Sequence, residues 1–215
     1  MYNAVDPILI EFSEPKHRRK IGKAVIEEVP TRPNIVKMRT CILRPYEYEA
    51  LRSAASPKYR VFFDSALLTG MRIVELHLFL KNPSWFDGTF IHLPRVAIKK
   101  KATINQRWVH LSARGRALIE NINQILGEAD LPSEVSFSKY LHRCAIRAGI
   151  SHDSLNMKMF RETWESWLIA SYPDRKEEVF LSQGHTSLVA LQHYVNLPFT
   201  DEDRMKMKEW VEGWR

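Results

Sequence analysis

Proline and glycine stops cut this chain into short pieces, and that punctuation limits what it can build. From Pro45 onward apolar residues recur at helical spacing, but every run is interrupted within a few turns. Pro45 suits a first helical position, and Tyr46, Leu51, Ala54 and Ala55 continue one face. Residues 59–68 read as a second helix stopped by Gly70, and 73–80 as a third broken by Asn82-Pro83. With 45% hydrophobic and 27% charged residues the chain also sits near the globular average, which argues against wholesale disorder, a coiled coil or collagen.

The middle has another texture. Asp87-Gly88 is a turn signal, followed by three β-prone runs at 90–93, 96–99 and 108–111, separated by Pro94 and a Lys/Thr/Asn stretch. Ser112 then caps a helix carrying Leu118, Ile119, Ile122 and Ile125. Another helix runs to about Ala148 with Gly149 as its stop, and helical stretches follow at 157–171, 177–182 and 187–194. Thr200 and Asp203 form a capping pair before Met207, Trp210, Val211 and Trp214 on one face. The expected class is mainly α with one small antiparallel β-sheet, an α+β chain.

Residues 1–44 read as irregular. Pro7, Pro15, Pro30 and Pro33 interrupt them, Lys16, Arg18, Arg19 and Lys20 form a basic cluster, and 21–28 suits a short strand or helical turn. The 215 residues carry a formal net charge of +7, and its distribution is uneven. The first 44 residues hold nine basic against five acidic side chains, and 91–107 holds Arg95, Lys99, Lys100, Lys101 and Arg107 with no acid. Two basic segments of this kind favour a polyanionic partner, nucleic acid first. Cys41 and Cys144 lie far apart without metal-ligand spacing, which excludes a disulfide framework and suggests a reducing, intracellular setting. No apolar run approaches membrane-spanning length, and the N-terminus lacks the order of parts of a signal peptide.

Several site types are missing from the sequence. There is no glycine-rich phosphate loop, no Gly-x-Ser-x-Gly turn, and no ligand spacing around His142, His152 or the other histidines, so neither metal nor cofactor is expected. Three segments stand out together: Thr69-Gly70-Met71-Arg72-Ile73-Val74-Glu75-Leu76, then Lys158-Met159-Phe160-Arg161, then Gln183-Gly184-His185 with Tyr194 nine residues on. In this order, with a lysine-bearing hairpin between the first two, they resemble the tyrosine recombinase (phage-type integrase) family over residues 44–196.

The resemblance implies a recombinase catalytic fold over 45–199 and a chemistry of DNA cleavage and rejoining through a 3′-phosphotyrosyl link. It makes Arg72 and Arg161 the ligands of the scissile phosphate, a role that suits a permanently charged planar fork. Their ordinary alternative is a surface ion pair, with Glu75 for Arg72 and with Glu162 or Glu165 for Arg161. Tyr194 becomes the nucleophile; only about one free phenol in a thousand is ionised at pH 7, so it needs cationic company. His185 is expected to bond the phosphate or the attacking oxygen. A hairpin lysine is expected to protonate the departing 5′-oxygen, with Lys101 first, Lys100 second and Lys99 third. Arg18, Arg19, Lys20, Lys99, Lys100 and Arg107 are expected on the DNA backbone. Lys158 stands where most of the family carries histidine, a substitution similar to that in some archaeal viral integrases. A charged lysine donates hydrogen bonds but cannot accept the tyrosine proton.

The implied partners are double-stranded DNA and further copies of the chain, as a dimer or tetramer on DNA, with no membrane. Residues 1–44 would be a basic arm, and the helix of 200–215 would dock either on a neighbouring protomer or on its own core. Two alternatives use the same residues: a type IB topoisomerase-like enzyme that relaxes DNA, and a regulator that binds DNA without cutting it.

Overall fold

The computed structural model describes residues 34–37, 39–98, 106–126, 132–151, 154–185 and 197–215. The expectations for Arg18, Arg19, Lys20, Lys99, Lys100, Lys101 and Tyr194, and for the segments 21–28 and 187–194, lie outside them.

Eight α-helices and four short strands are present among the described residues. They are β1 (Ile35–Lys37), β2 (Thr40–Ile42), α1 (Pro45–Ser53), α2 (Pro57–Thr69), α3 (Ile73–Lys81), β3 (Ile91–Leu93), β4 (Arg107–Val109), α4 (Ala113–Ile125), α5 (Glu134–Arg147), α6 (Met159–Ser171), α7 (Lys176–Gln183) and α8 (Asp201–Val211). The chain is mainly helical with two small antiparallel sheets, β1–β2 and β3–β4. None of these helices is long and apolar enough to cross a membrane.

Local signals place most boundaries. Pro45 and Pro57 open α1 and α2. The Ser112 hydroxyl accepts from Gly115 N at 3.2 Å, Ser133 from Ser136 N at 3.2 Å, and Thr200 from Asp203 N at 3.2 Å, each satisfying a helix-start N–H. Gly70 and Gly184 end α2 and α7 in the left-handed region, at φ 58° and 71°.

Two sequence expectations need correction. The segment before Pro45 is not irregular throughout, because β1 and β2 pair as Ile35–Ile42 and Lys37–Thr40. Three-residue strands are too short to show a period. What holds them is tertiary: Leu43 N donates to Thr163 Oγ1 at 3.0 Å and Trp167 Nε1 donates to Leu43 O at 2.9 Å, fastening the hairpin to α6. The second correction is that, among the described residues, the central sheet has two strands, not three. The run at 96–99 begins instead as a 3-10 turn over Arg95–Ala97. Pro94 cannot donate to a ladder, and Val96 turns out to solvent, 76% exposed. His92 pairs directly with Trp108 across the remaining two strands.

Helix α6 is the centre of the core. It packs against α2, α8 and β2, and Trp164, Trp167 and Leu168 are wholly buried. Around it lie Tyr48, Phe62, Phe63, Phe137 and Phe160, in edge and tilted contact. Each such side chain contributes roughly 2 kcal/mol through burial. The apolar stripe of α8 is spent here too, since Met207, Trp210, Val211 and Trp214 are all buried in their own chain. Trp210 meets Tyr48 edge-on at 5.3 Å, and the final residues pair with the exit of β4 through Leu111 and Arg215.

Candidate functional site

The site is assembled from the ends of four elements. Gly70 turns the chain at φ 58°, where a Cβ would lie within 2.8 Å of the Gln183 side chain, so both conformation and space demand glycine. That reversal sets Arg72 as the cap residue of α3. Its backbone N donates to Glu75 Oε2 at 2.8 Å and its Nη1 to Glu75 Oε1 at 2.6 Å. The ion pair weighed against a phosphate role for Arg72 is therefore present. It does not hide the arginine, whose side chain remains 43% exposed.

Glu75 itself is buried and works as a hub. It also accepts from Arg107 Nη2 at 2.7 Å, and Arg107 Nη1 donates to Gln183 O at 2.7 Å. Arg107 is thus not the DNA contact expected of it. At 3% exposure it is an internal strut joining β4 to α3 and α7. Burial, only partly offset by Glu75, pushes its guanidinium down to about 9, still charged at neutral pH. Burial alone would push the Glu75 carboxyl up, but Arg107, Arg161 and Arg72 outweigh it and hold the group below its ordinary 4.5.

Arg161 stands on the first turn of α6. Its Nη1 donates to Gly70 O at 3.0 Å and its Nη2 to Gln183 O. Neither Glu162 nor Glu165 takes these hydrogen bonds; Glu162 accepts from the buried Lys37 at 2.9 Å instead. Burial, and then the nearby Arg72 charge, push the Arg161 guanidinium below its ordinary 12.5. An anion placed between the two arginines would relieve that repulsion.

Lys158 precedes Arg161 at the start of α6 and is exposed, with its backbone N bonded to Asn156 Oδ1 at 2.9 Å. His185 follows the Gly184 cap. Its N donates to Phe180 O at 2.9 Å, and its ring Nε2 lies 3.1 Å from Glu165 Oε2 on α6.

These residues share one cleft of about 800 Å³. Arg72, Lys158, Arg161 and His185 all line it, as do Lys139, Glu134 and Glu162. Four of the six residues expected in the site, drawn from three separate segments, are thus brought together; Lys101 and Tyr194 lie outside the described residues. Among the described residues no group of three His, Cys, Asp or Glu side chains is placed to hold a metal ion. Chemically the cleft sets two guanidiniums, the ammoniums of Lys139 and Lys158 and one imidazole among apolar side chains such as Ile73 and Val135, a cation set suited to an oxyanion such as a phosphate.

Sequence reasoning passed over the residues that hold this arrangement. Glu75 figured only as a rival partner for Arg72, although its i, i+3 spacing announced the contact. Glu165 carried a readable signal, an acid between Trp164 and Trp167 on an otherwise apolar helix face. Gln183 carried none, because its part is played by a backbone carbonyl. Comparison with protein-family models, curated proteins and solved structures finds no match for this chain.

Proposed function

We propose that this chain is a DNA strand-transfer enzyme of the tyrosine recombinase type, cutting and rejoining a phosphodiester through a covalent tyrosyl link. One observation carries the reading. Arg72, Lys158, Arg161 and His185, separated by as many as 113 residues of sequence, line a single cleft.

The geometry suggests a division of labour. Arg161 is held by two carbonyls and Arg72 by Glu75, so neither guanidinium has to reorganise when a phosphate arrives. As phosphorus takes on a fifth oxygen, negative charge grows on its non-bridging oxygens, and fixed cations in a part-buried cleft stabilise that growth more than they stabilise the starting diester. Lys158, exposed at the mouth, adds a donor and a charge. Tyr194 as nucleophile and Lys101 as the acid for the 5′-oxygen enter from the sequence pattern. No energy source is needed, because each phosphodiester is exchanged for a phosphotyrosine of similar energy.

The test is Arg72→Ala on nicked suicide DNA. Cleavage is expected to fall about 10²-fold or more, the scale for removing one preorganised oxyanion donor, while the dissociation constant for DNA rises by about tenfold at most. Equal losses in binding and cleavage would mark Arg72 as a general DNA contact and overturn the reading. Pairing two sites in one substrate then separates recombination from simple relaxation.

A further inference from the structure

Lys158 leaves a gap in the proton chemistry. A lysine in its charged form cannot take the proton of an attacking hydroxyl, and this one is exposed on the lining of the cleft. The structure places another acceptor nearby. Glu165 lies one helical turn beyond Arg161 with a fully buried side chain, and its carboxylate meets His185 Nε2 at 3.1 Å, while the His185 side chain remains 28% exposed at the cleft.

A carboxylate oxygen only accepts, so against an ionised Glu165 it is Nε2 that carries the proton, and in the neutral ring the lone pair then sits on Nδ1. Nδ1 has no hydrogen-bond partner among the described residues. The ring is further held by the Phe180 side chain, edge-on at 5.8 Å, and by the backbone bond from His185 N to Phe180 O. Arg161, one turn earlier on the same helix, is drawn electrostatically to Glu165.

Resting on the strand-transfer reading, we infer that His185 is the proton acceptor of this cleft and that Glu165 is its positioning residue, together taking the part that Lys158 cannot. In the forward step the attacking hydroxyl, assigned above to Tyr194, gives its proton to Nδ1 as its oxygen bonds to phosphorus. The bond from phosphorus to the 5′-oxygen breaks, and that oxygen takes a proton from the hairpin lysine. The imidazolium so formed keeps Nε2–H on Glu165, and rejoining returns both protons. A carboxylate that fixes the tautomer and steadies the charged ring is the logic of acid–histidine pairs in nucleophilic catalysis.

The experiment has a spectroscopic and a kinetic arm, both on the full chain. With ¹⁵N-labelled histidine at about pH 8.5, well above the ordinary imidazole value of about 6.5, His185 should show a slowly exchanging, downfield Nε2–H and an unprotonated Nδ1. Glu165→Gln should abolish that signal. A proton on Nδ1 in the wild type overturns the pairing. Kinetically, Glu165→Gln and His185→Gln should each slow adduct formation on nicked DNA about 10²-fold, far more than either weakens DNA binding. The loss should persist when the bridging 5′-oxygen is replaced by sulfur, which departs without a proton. Recovery on the sulfur substrate would move the pair to the leaving-group side and overturn the inference, as would variants as fast as the wild type. Should Glu165→Gln fail to fold, the His185→Gln rates and the wild-type spectrum decide alone. A wild type that forms no adduct with either substrate defeats the strand-transfer reading, and this inference with it. A wild type that forms adduct while the variants match it defeats the inference only.

Discussion

Gly70→Ala probes how the site is built from the fold. The position has φ 58°, and an added Cβ would lie 2.8 Å from Gln183 Nε2 and 2.9 Å from its Cδ. Two costs follow. Left-handed backbone costs an alanine about 1 kcal/mol, and forcing a buried side chain aside costs roughly 1–3 kcal/mol. Gly149 isolates the first, since it has φ 66° with nothing within 4 Å of a Cβ. Gly149→Ala should therefore lower the melting temperature by about 2–4 °C, and Gly70→Ala by roughly 5–15 °C, at the usual conversion for a domain of this size. Calorimetry on the two variants and the wild type makes the comparison. Equal losses would show that Gln183 yields freely and would refute the claim that Gly70 and Gln183 lock the first and third segments together. Because the Gln183 carbonyl holds both Arg107 and Arg161, the variant should also bind anions more weakly than its stability alone implies.

Other outcomes follow from the same contacts. Glu75→Gln leaves the buried Arg107 without its carboxylate and should cost about 3–5 kcal/mol at pH 7, the range for breaking a buried pair, measured by urea unfolding. The folded Glu75 carboxyl is held below 4.5, so its stabilisation is present above that pH and is lost as the pH falls through the folded value. The wild type should therefore lose stability on acidification more steeply than Glu75→Gln. Inorganic phosphate at about 100 times its dissociation constant should add about 2.7 kcal/mol to the wild type, an increment that Arg72→Ala should largely abolish in thermal unfolding. Ser112→Ala removes the hydroxyl that accepts from Gly115 N and should cost about 1 kcal/mol with the cleft unaffected, as seen in an unchanged phosphate response.

The helices were legible wherever their ends carried chemistry. Pro45, Gly70, Ser112, Gly149 and the Thr200/Asp203 pair each sit at or beside the boundary expected of them. The β1–β2 hairpin was not legible, because its three-residue strands owe their form to Thr163 and Trp167, more than a hundred residues away. For Arg107 the basic run in sequence gave the wrong location. Arg107 belongs to a basic run in sequence, yet its strand points it inward to Glu75. Nothing in local sequence distinguishes an arginine that greets a partner from one that braces the core. The same limit applies to Glu165, whose role depends on where α7 delivers His185. The family resemblance named which residues could meet, and the buried acids Glu75 and Glu165 explain how Arg72 and His185 are held.

The central claim is covalent chemistry at Tyr194, and a nicked suicide DNA tests it directly. Incubated with the wild-type chain and resolved under denaturing conditions, the DNA should yield a protein adduct through a 3′-phosphate. The same DNA should yield none with Tyr194→Phe, whose DNA binding is unchanged. A wild type that never becomes attached, or an adduct that persists in Tyr194→Phe, would contradict the account.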